Sequence, residues 1–186
     1  MNVLDFVFVK NLIPTSVCDD VLNIVSKKDW QKHTWYNKKT GSSVSEETKE
    51  LDVQPTDQDL QDRLAPFIIE AVRQYNQEFA ADGEKTSQLV HQFSPCRFNR
   101  YEVGTIMRKH YDHIYSIFDG QRKGIPVLSI LGLLNNDFEG GNFLVRDQDF
   151  NLKKGDFIIF PSCFMYPHEV QEVTKGTRYS FISWAF

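Results

Sequence analysis

Two hydrophobic rhythms divide the chain. Over Thr56–Phe79 the residues Leu60, Leu64, Phe67, Ile68, Ala71, Val72 and Tyr75 recur at helical spacing. One face of a long helix is therefore expected to be buried, with Thr56 or Asp57 as its cap and Asp82-Gly83 as the turn that ends it. From Ser87 onward the pattern changes to short extended runs between turns. Phe98–Val103 and Ile106–Tyr111 read as strands, and the unbroken apolar run Val127–Leu134 reads as a strand buried on both faces. FEGGN at Phe138–Asn142 is a tight turn into Phe143–Arg146, and Lys154-Gly155-Asp156 turns into FIIF. Thr174–Thr177 predicts a hairpin into a last strand, Arg178–Phe186.

Ahead of the long helix, Val3–Val9 alternates loosely as a strand, and Pro14-Thr15-Ser16 offers caps for a helix over Ser16–Lys28. Trp30–Tyr36 is aromatic and reads as extended. Asn37–Pro55 is polar and nearly devoid of apolar residues, which predicts a mobile loop, either a lid or a plain solvated connection. A second loop is expected over His113–Gly124. Helices first and then seven or eight short strands give a mainly β, α+β chain: a double-stranded β-helix (jelly roll) with the N-terminal helices packed outside. Residues 94–186 are the expected jelly-roll core and 1–93 its support within the same structural domain, including the candidate lid 37–55.

Composition narrows the setting. The 186 residues suffice for one domain with a substantial core, and 15 phenylalanines suit an aromatic-rich β-structure. No apolar run is as long as a membrane span, and MNVLDFVFVK lacks the layout of a signal peptide, so a cytoplasmic location is expected. Three scattered cysteines, Cys18, Cys96 and Cys163, form no zinc spacing and read as buried thiols. Residues 1–90 carry 10 Lys+Arg against 15 Asp+Glu, and residues 91–186 carry 11 against 10. The second half thus suits an anionic small molecule, while the charge argues against a nucleic-acid partner.

The candidate chemistry lies in that second half. His110-Tyr111-Asp112 places a histidine and a carboxylate two apart, on one face of a strand. His168 opens another strand, followed by Arg178 and Ser180, which also share a face. Two histidines and one carboxylate occupy one face of an octahedral Fe(II) and leave three positions open. If Thr174–Thr177 form the hairpin turn, Arg178 pairs near Val173, roughly 15 Å along the strand from His168. A five-carbon diacid chelating the metal, met by an extended arginine that grips its far carboxylate bidentately, spans that gap. His113 is expected on the opposite face from Asp112, and His33 and His91 are read as structural.

Together, Tyr101-x-x-Gly104, His110-x-Asp112, Gly140-Gly141, Lys154-Gly155-Asp156, His168 and Arg178 resemble the iron(II)- and 2-oxoglutarate-dependent dioxygenases, in the prolyl 4-hydroxylase-like branch. The resemblance covers Ser94–Phe186. It implies that His110, Asp112 and His168 hold iron and form the catalytic centre, that Arg178 binds the distal carboxylate of 2-oxoglutarate, and that Tyr101 contacts the co-substrate, with Ser180 adding a hydroxyl. Two positions depart from the family pattern: Met107 stands where a second tyrosine is frequent, and Asn142 where glutamate often follows the glycine pair.

The activity implied is hydroxylation of an unactivated carbon, foremost a prolyl residue in a peptide or protein, with O2 consumed and succinate and CO2 released. Ascorbate is the accessory reductant to consider. The resemblance also suggests that the loops near 37–55 and 113–125 cover the site. Two other readings compete. Asn99-x-Tyr101 is similar to AlkB-type nucleic-acid demethylases, although Arg178 is the last arginine in the chain, whereas those enzymes have two after the last histidine. The other is a non-catalytic jelly-roll binding module that keeps the metal residues only by descent.

Overall fold

The computed structural model describes residues 2–37, 42–44, 49–79, 90, 92–112 and 126–186. The expected loop over 113–125, His91 and the Asp82-Gly83 turn lie outside these residues. The first segment is not a strand throughout. Val3–Phe6 is a 3-10 turn because Asn2 and Asp5 close a reciprocal capping box: the Asn2 side chain accepts from the Leu4 amide, and Asp5 accepts from the Asn2 amide at 2.8 Å. Strand β1 (Phe8–Asn11) follows, then helix α1 (Thr15–Val25). The long helix α2 (Gln58–Phe79) starts where expected, with Asp57 accepting from the Leu60 amide at 3.0 Å, a cap worth about 1 kcal/mol.

The largest sheet has seven strands. β1 lies at one edge beside β12 (Asp156–Pro161), then β8 (Leu128–Leu133), β15 (Arg178–Ala185), β6 (Arg97–Tyr101), β5 (Asp52–Pro55) and the short β2 (Gln31–Lys32). A four-stranded sheet opposes it. Its order is β11 (Gln148–Asp149), β10 (Phe143–Val145), β13 (His168–Val170) and β7 (Met107–His110). β3 (Trp35–Asn37) pairs with β4 (Ser42–Val44), and β9 (Phe138–Gly140) with β14 (Val173–Gly176). All these pairings are antiparallel, and the two facing sheets form a jelly roll with the helices outside.

Two apolar cores explain the largely hydrophobic run of β8. Leu128 and Ile130 join Phe157, Ile159 and Phe181 beneath the helices, packed by Val21, Leu64 and Ile68. Leu131 points the other way, into the space between the sheets, with Ile158, Phe160, Phe143 and Val170. Strand alternation divides one apolar sequence between two cores, and burying such side chains contributes about 1.5–3 kcal/mol each.

Three expectations need correction. The polar stretch 37–55 is not one loop: Leu51 is fully buried and β5 sits inside the large sheet against β6. Its charges misled the composition reading because they are paired in the fold. Asp52 meets Arg100 and Lys32, each at 2.8 Å. Thr174–Thr177 do not fold into a hairpin with the last strand, since β14 pairs with β9 while Arg178 lies opposite Tyr101 on β6. The chain there crosses from one sheet layer to the other, so the distance argument through Val173 does not hold. Cys163 is half-buried, whereas Cys18 and Cys96 are buried as expected.

Candidate metal centre and co-substrate pocket

His110 ends β7 and His168 begins β13, and the two residues are direct cross-strand partners. Their rings lie 4.4 Å apart, centroid to centroid. Asp112, two residues past His110, places Oδ1 at 3.8 Å from His110 Nε2 and 3.9 Å from His168 Nε2. The three sequence-predicted ligands therefore converge, with one donor atom of each within 4.8 Å of the others.

The surroundings select the donor atoms. His110 Nδ1 is 2.7 Å from the Arg108 carbonyl and His168 Nδ1 is 3.1 Å from the Tyr166 carbonyl. A carbonyl only accepts, so each Nδ1 carries its hydrogen and each Nε2 keeps a lone pair for a metal. Asp112 Oδ2 accepts from Ser129 Oγ and, at 2.9 Å, from Trp184 Nε1, leaving Oδ1 for the same metal. Burial, reinforced by neighbouring His168, pushes His110 down to about 4. Burial alone would raise Asp112, but His168 and His110 together with the two donors hold it below the ordinary carboxylate range. Neutral imidazoles beside a carboxylate suit a divalent cation of intermediate softness.

Behind this cluster the inward face of β15 carries Arg178, Ser180, Ile182 and Trp184. Arg178 is 1% exposed and donates one hydrogen bond, to Ser180 Oγ at 3.0 Å. Among the described residues its Nε and second terminal nitrogen are buried without a partner, and its guanidinium stands over the Tyr101 ring at 5.1 Å. Burial depresses the Arg178 pKa and raises that of Tyr101. An unanswered buried cation is costly, and a carboxylate would satisfy it. Arg178 lines a cavity of about 410 Å³ with Leu133, Gly141 and Phe143, and the Phe143 ring lies 5.8 Å from His168. Gly141 has a left-handed backbone (φ +61°), and a Cβ there would meet the Arg178 stem at 3.0 Å.

The family model of the 2OG-Fe(II) oxygenase superfamily matches residues 96–186, the stretch that contains every one of these groups. Residues 96–186 belong to that superfamily. A PKHD-type hydroxylase of Acinetobacter baumannii is 27% identical over 166 residues, 85% of this chain and 70% of that protein. Another from Thermosynechococcus vestitus is 32% identical over 66% of this chain and 54% of its own length. Among solved structures, a Pseudomonas putida prolyl-4-hydroxylase superposes with a TM-score of 0.67 at 17% identity, over 98% of this chain and 96% of that one. A prolyl hydroxylase of Trichoplax adhaerens, in complex with a hypoxia inducible factor oxygen degradation domain peptide fragment, gives 0.70 at 16%, over 98% and 85%. At such identities the solved structures speak for the fold. As a 2OG-Fe(II) oxygenase the chain is an oxidoreductase, and its family implies iron(II) and 2-oxoglutarate. Among the described residues no helix is long and apolar enough to cross a membrane.

The two departures from the family pattern occupy different places. Met107 packs in the core between the sheets, and Asn142 donates to Asp149 at 2.6 Å beside the cavity. Sequence reasoning missed the groups that hold Asp112. Ser129 and Trp184 face each other across β8 and β15, and counting by twos from Arg178 along the last strand reaches Trp184. That alternation was the available signal. Glu50, Trp35 and His33, which also gather beside His110, have no comparable signal.

Proposed function

We propose that this oxygenase uses iron(II) and 2-oxoglutarate to hydroxylate an unactivated carbon, that of a prolyl residue in a peptide or protein, with release of succinate and CO2. The observation that carries the reading is the pairing of a three-ligand cluster with a buried arginine that has no anion. His110 Nε2, Asp112 Oδ1 and His168 Nε2 would hold the metal. Iron(II) held there together with the keto acid would supply the oxidising chemistry of the reaction.

The remaining work belongs to the chain's own residues. Arg178 anchors the distal carboxylate of 2-oxoglutarate, Ser180 orients the guanidinium, and Tyr101 walls the co-substrate with its hydroxyl kept protonated by burial. Ser129 and Trp184 fix the rotamer of Asp112 so that one oxygen faces the metal. Leu131, Phe143 and Phe160 keep the interior dry. Residues 94–186 carry the catalytic core in this reading, and residues 1–93 support it within the same domain. The prolyl target is favoured by the prolyl hydroxylases among the structural neighbours, one of them bound to a peptide.

The test is anaerobic visible absorption on adding Fe(II) and then 2-oxoglutarate, in the wild type and in Arg178→Ala. A saturable charge-transfer band that needs more 2-oxoglutarate in the variant is expected. No band in freshly reconstituted protein would refute the metal and co-substrate assignment. Succinate release stimulated by proline-containing peptides, and by no other peptide, then tests the substrate.

A further inference from the structure

Trp35, at the start of β3, reaches the metal cluster from a part of the chain without a motif. Its half-buried ring meets His110 edge to face, with centroids 5.3 Å apart and planes at 79°, and meets His33 at 4.8 Å. Among the described residues His110 therefore has the rings of His168 and Trp35 as neighbours. A single carboxylate holds this arrangement. Glu50 is 1% exposed, and its Oε1 accepts from Trp35 Nε1 at 2.8 Å and from the Arg108 guanidinium at 2.7 Å. The Arg108 carbonyl in turn fixes His110 Nδ1.

Glu50 is itself anchored to the strand that ends in His110. The Ile106 amide donates to the Lys49 carbonyl at 3.0 Å, and Lys32 Nζ donates to the Glu50 carbonyl at 3.3 Å. Its second oxygen lies 3.6 Å from His33 Nδ1, and among the described residues neither atom has a hydrogen-bond partner. Three chain segments, 31–35, 49–51 and 106–110, thus meet at one buried charge. An apolar residue could tie the segments together without the desolvation cost of a carboxylate. What a carboxylate adds is direction: it fixes the indole that meets His110 and the arginine whose backbone carbonyl accepts from His110 Nδ1.

We propose that Glu50 is a positioning residue of the metal centre, acting through Trp35 and Arg108 to set the orientation of His110, and that the Trp35 ring is the wall of the site on that side. This rests on the metal reading above. Groups that orient a ligand from behind it typically shift metal affinity by about 10–100-fold when removed.

Co(II), which occupies mixed nitrogen and oxygen sites and quenches nearby indoles, serves as the probe. Its titration is followed by tryptophan fluorescence in the wild type, Trp35→Phe, Glu50→Ala, Glu50→Gln and His168→Ala. Trp35→Phe, which keeps a ring but loses the N–H that Glu50 accepts from, should weaken Co(II) binding less than Glu50→Ala does and lose part of the quenching. Glu50→Ala should weaken Co(II) binding about tenfold and lose the same part of the quenching. Glu50→Gln, which retains an oxygen acceptor for both donors, should restore both. Wild-type midpoint and quenching in folded Glu50→Ala would overturn the proposal. Should Glu50→Ala not fold, Trp35→Leu carries the test: it removes ring and donor while Glu50 keeps Arg108, and an unchanged Co(II) midpoint would overturn the proposal equally. If His168→Ala titrates like the wild type, the metal reading falls and this proposal with it; failure in the Glu50 and Trp35 variants alone leaves the metal reading standing.

Discussion

Replacing Arg178 by methionine should stabilise the empty protein and destroy its response to 2-oxoglutarate. Methionine keeps most of the stem that packs against Gly141 and exchanges the guanidinium's contacts with the Tyr101 and Phe138 rings for sulfur–aromatic contacts of similar size, so the change is mainly one of charge and hydrogen bonding. In the wild type, among the described residues, two guanidinium nitrogens are buried without a partner and no carboxylate pairs with the cation. Each such orphan costs about 1–3 kcal/mol, and the one bond lost, to Ser180, is worth about 1.5–3 kcal/mol. At mid-range values the balance favours the variant by about 2 kcal/mol when no anion is present. For a chain of this size 1 kcal/mol moves the melting temperature by about 2–4 °C. At a hundredfold excess over its Kd, 2-oxoglutarate should add about 2.7 kcal/mol to the wild type and nothing to the variant. Thermal melts with Mn(II), with and without 2-oxoglutarate, read both effects, and the stability order should invert on adding the keto acid. A variant that melts below the wild type without 2-oxoglutarate would refute the uncompensated-cation argument. One that keeps the ligand-induced shift would refute the anchoring role.

Three further outcomes follow from the same geometry. Ser129→Ala leaves Asp112 with Trp184 as its remaining side-chain donor, so metal affinity should fall by about tenfold in a competition titration, and unchanged affinity would count against that support. Gly141→Ala forces a left-handed backbone on alanine and drives its Cβ to 2.9 Å from the Val173 side chain and 3.0 Å from Arg178. A loss of about 1–3 kcal/mol in urea unfolding is expected, together with weaker 2-oxoglutarate binding. Burial lowers both His33 and His110 from 6.5 to about 4, so below pH 6.5 the unfolded chain binds protons that the folded one refuses. Stability of the metal-free protein should be fully present above pH 6.5 and fall towards pH 4, with a slope of up to about 1.4 kcal/mol per pH unit from each histidine. His33→Asn should flatten that slope, whereas a flat wild-type profile would contradict the burial argument.

How much of this protein its sequence determines depends on how local each cause is. The long helix was legible because Leu60, Leu64, Ile68, Ala71 and Tyr75 repeat with the helical period, and all five are buried. The ligand set was legible for a similar reason. His110 and Asp112 are two residues apart on an extended segment, as are Arg178 and Ser180 on the last strand, so strand alternation gives the facing within each pair, whereas His168 joins them only through the pairing of the strands. Family resemblance added their roles.

What escaped depended on long-range pairing. Charge composition made 37–55 look solvated, because the partners that allow Glu50 and Asp52 to be buried, Arg108 and Arg100, lie some fifty residues away. Turn residues at 174–177 suggested a hairpin, but a turn signal does not say which strand receives the chain, and β9 had the open edge. Val3–Phe6 alternated like a strand until the Asn2–Asp5 capping box curled it. The support of the metal centre, Ser129 and Trp184 behind Asp112 and Glu50 and Trp35 beside His110, exists only after the sheets have closed. A residue's spacing along the chain fixes which way it faces; what it then meets is decided by which strands lie opposite, and that is a property of the whole fold.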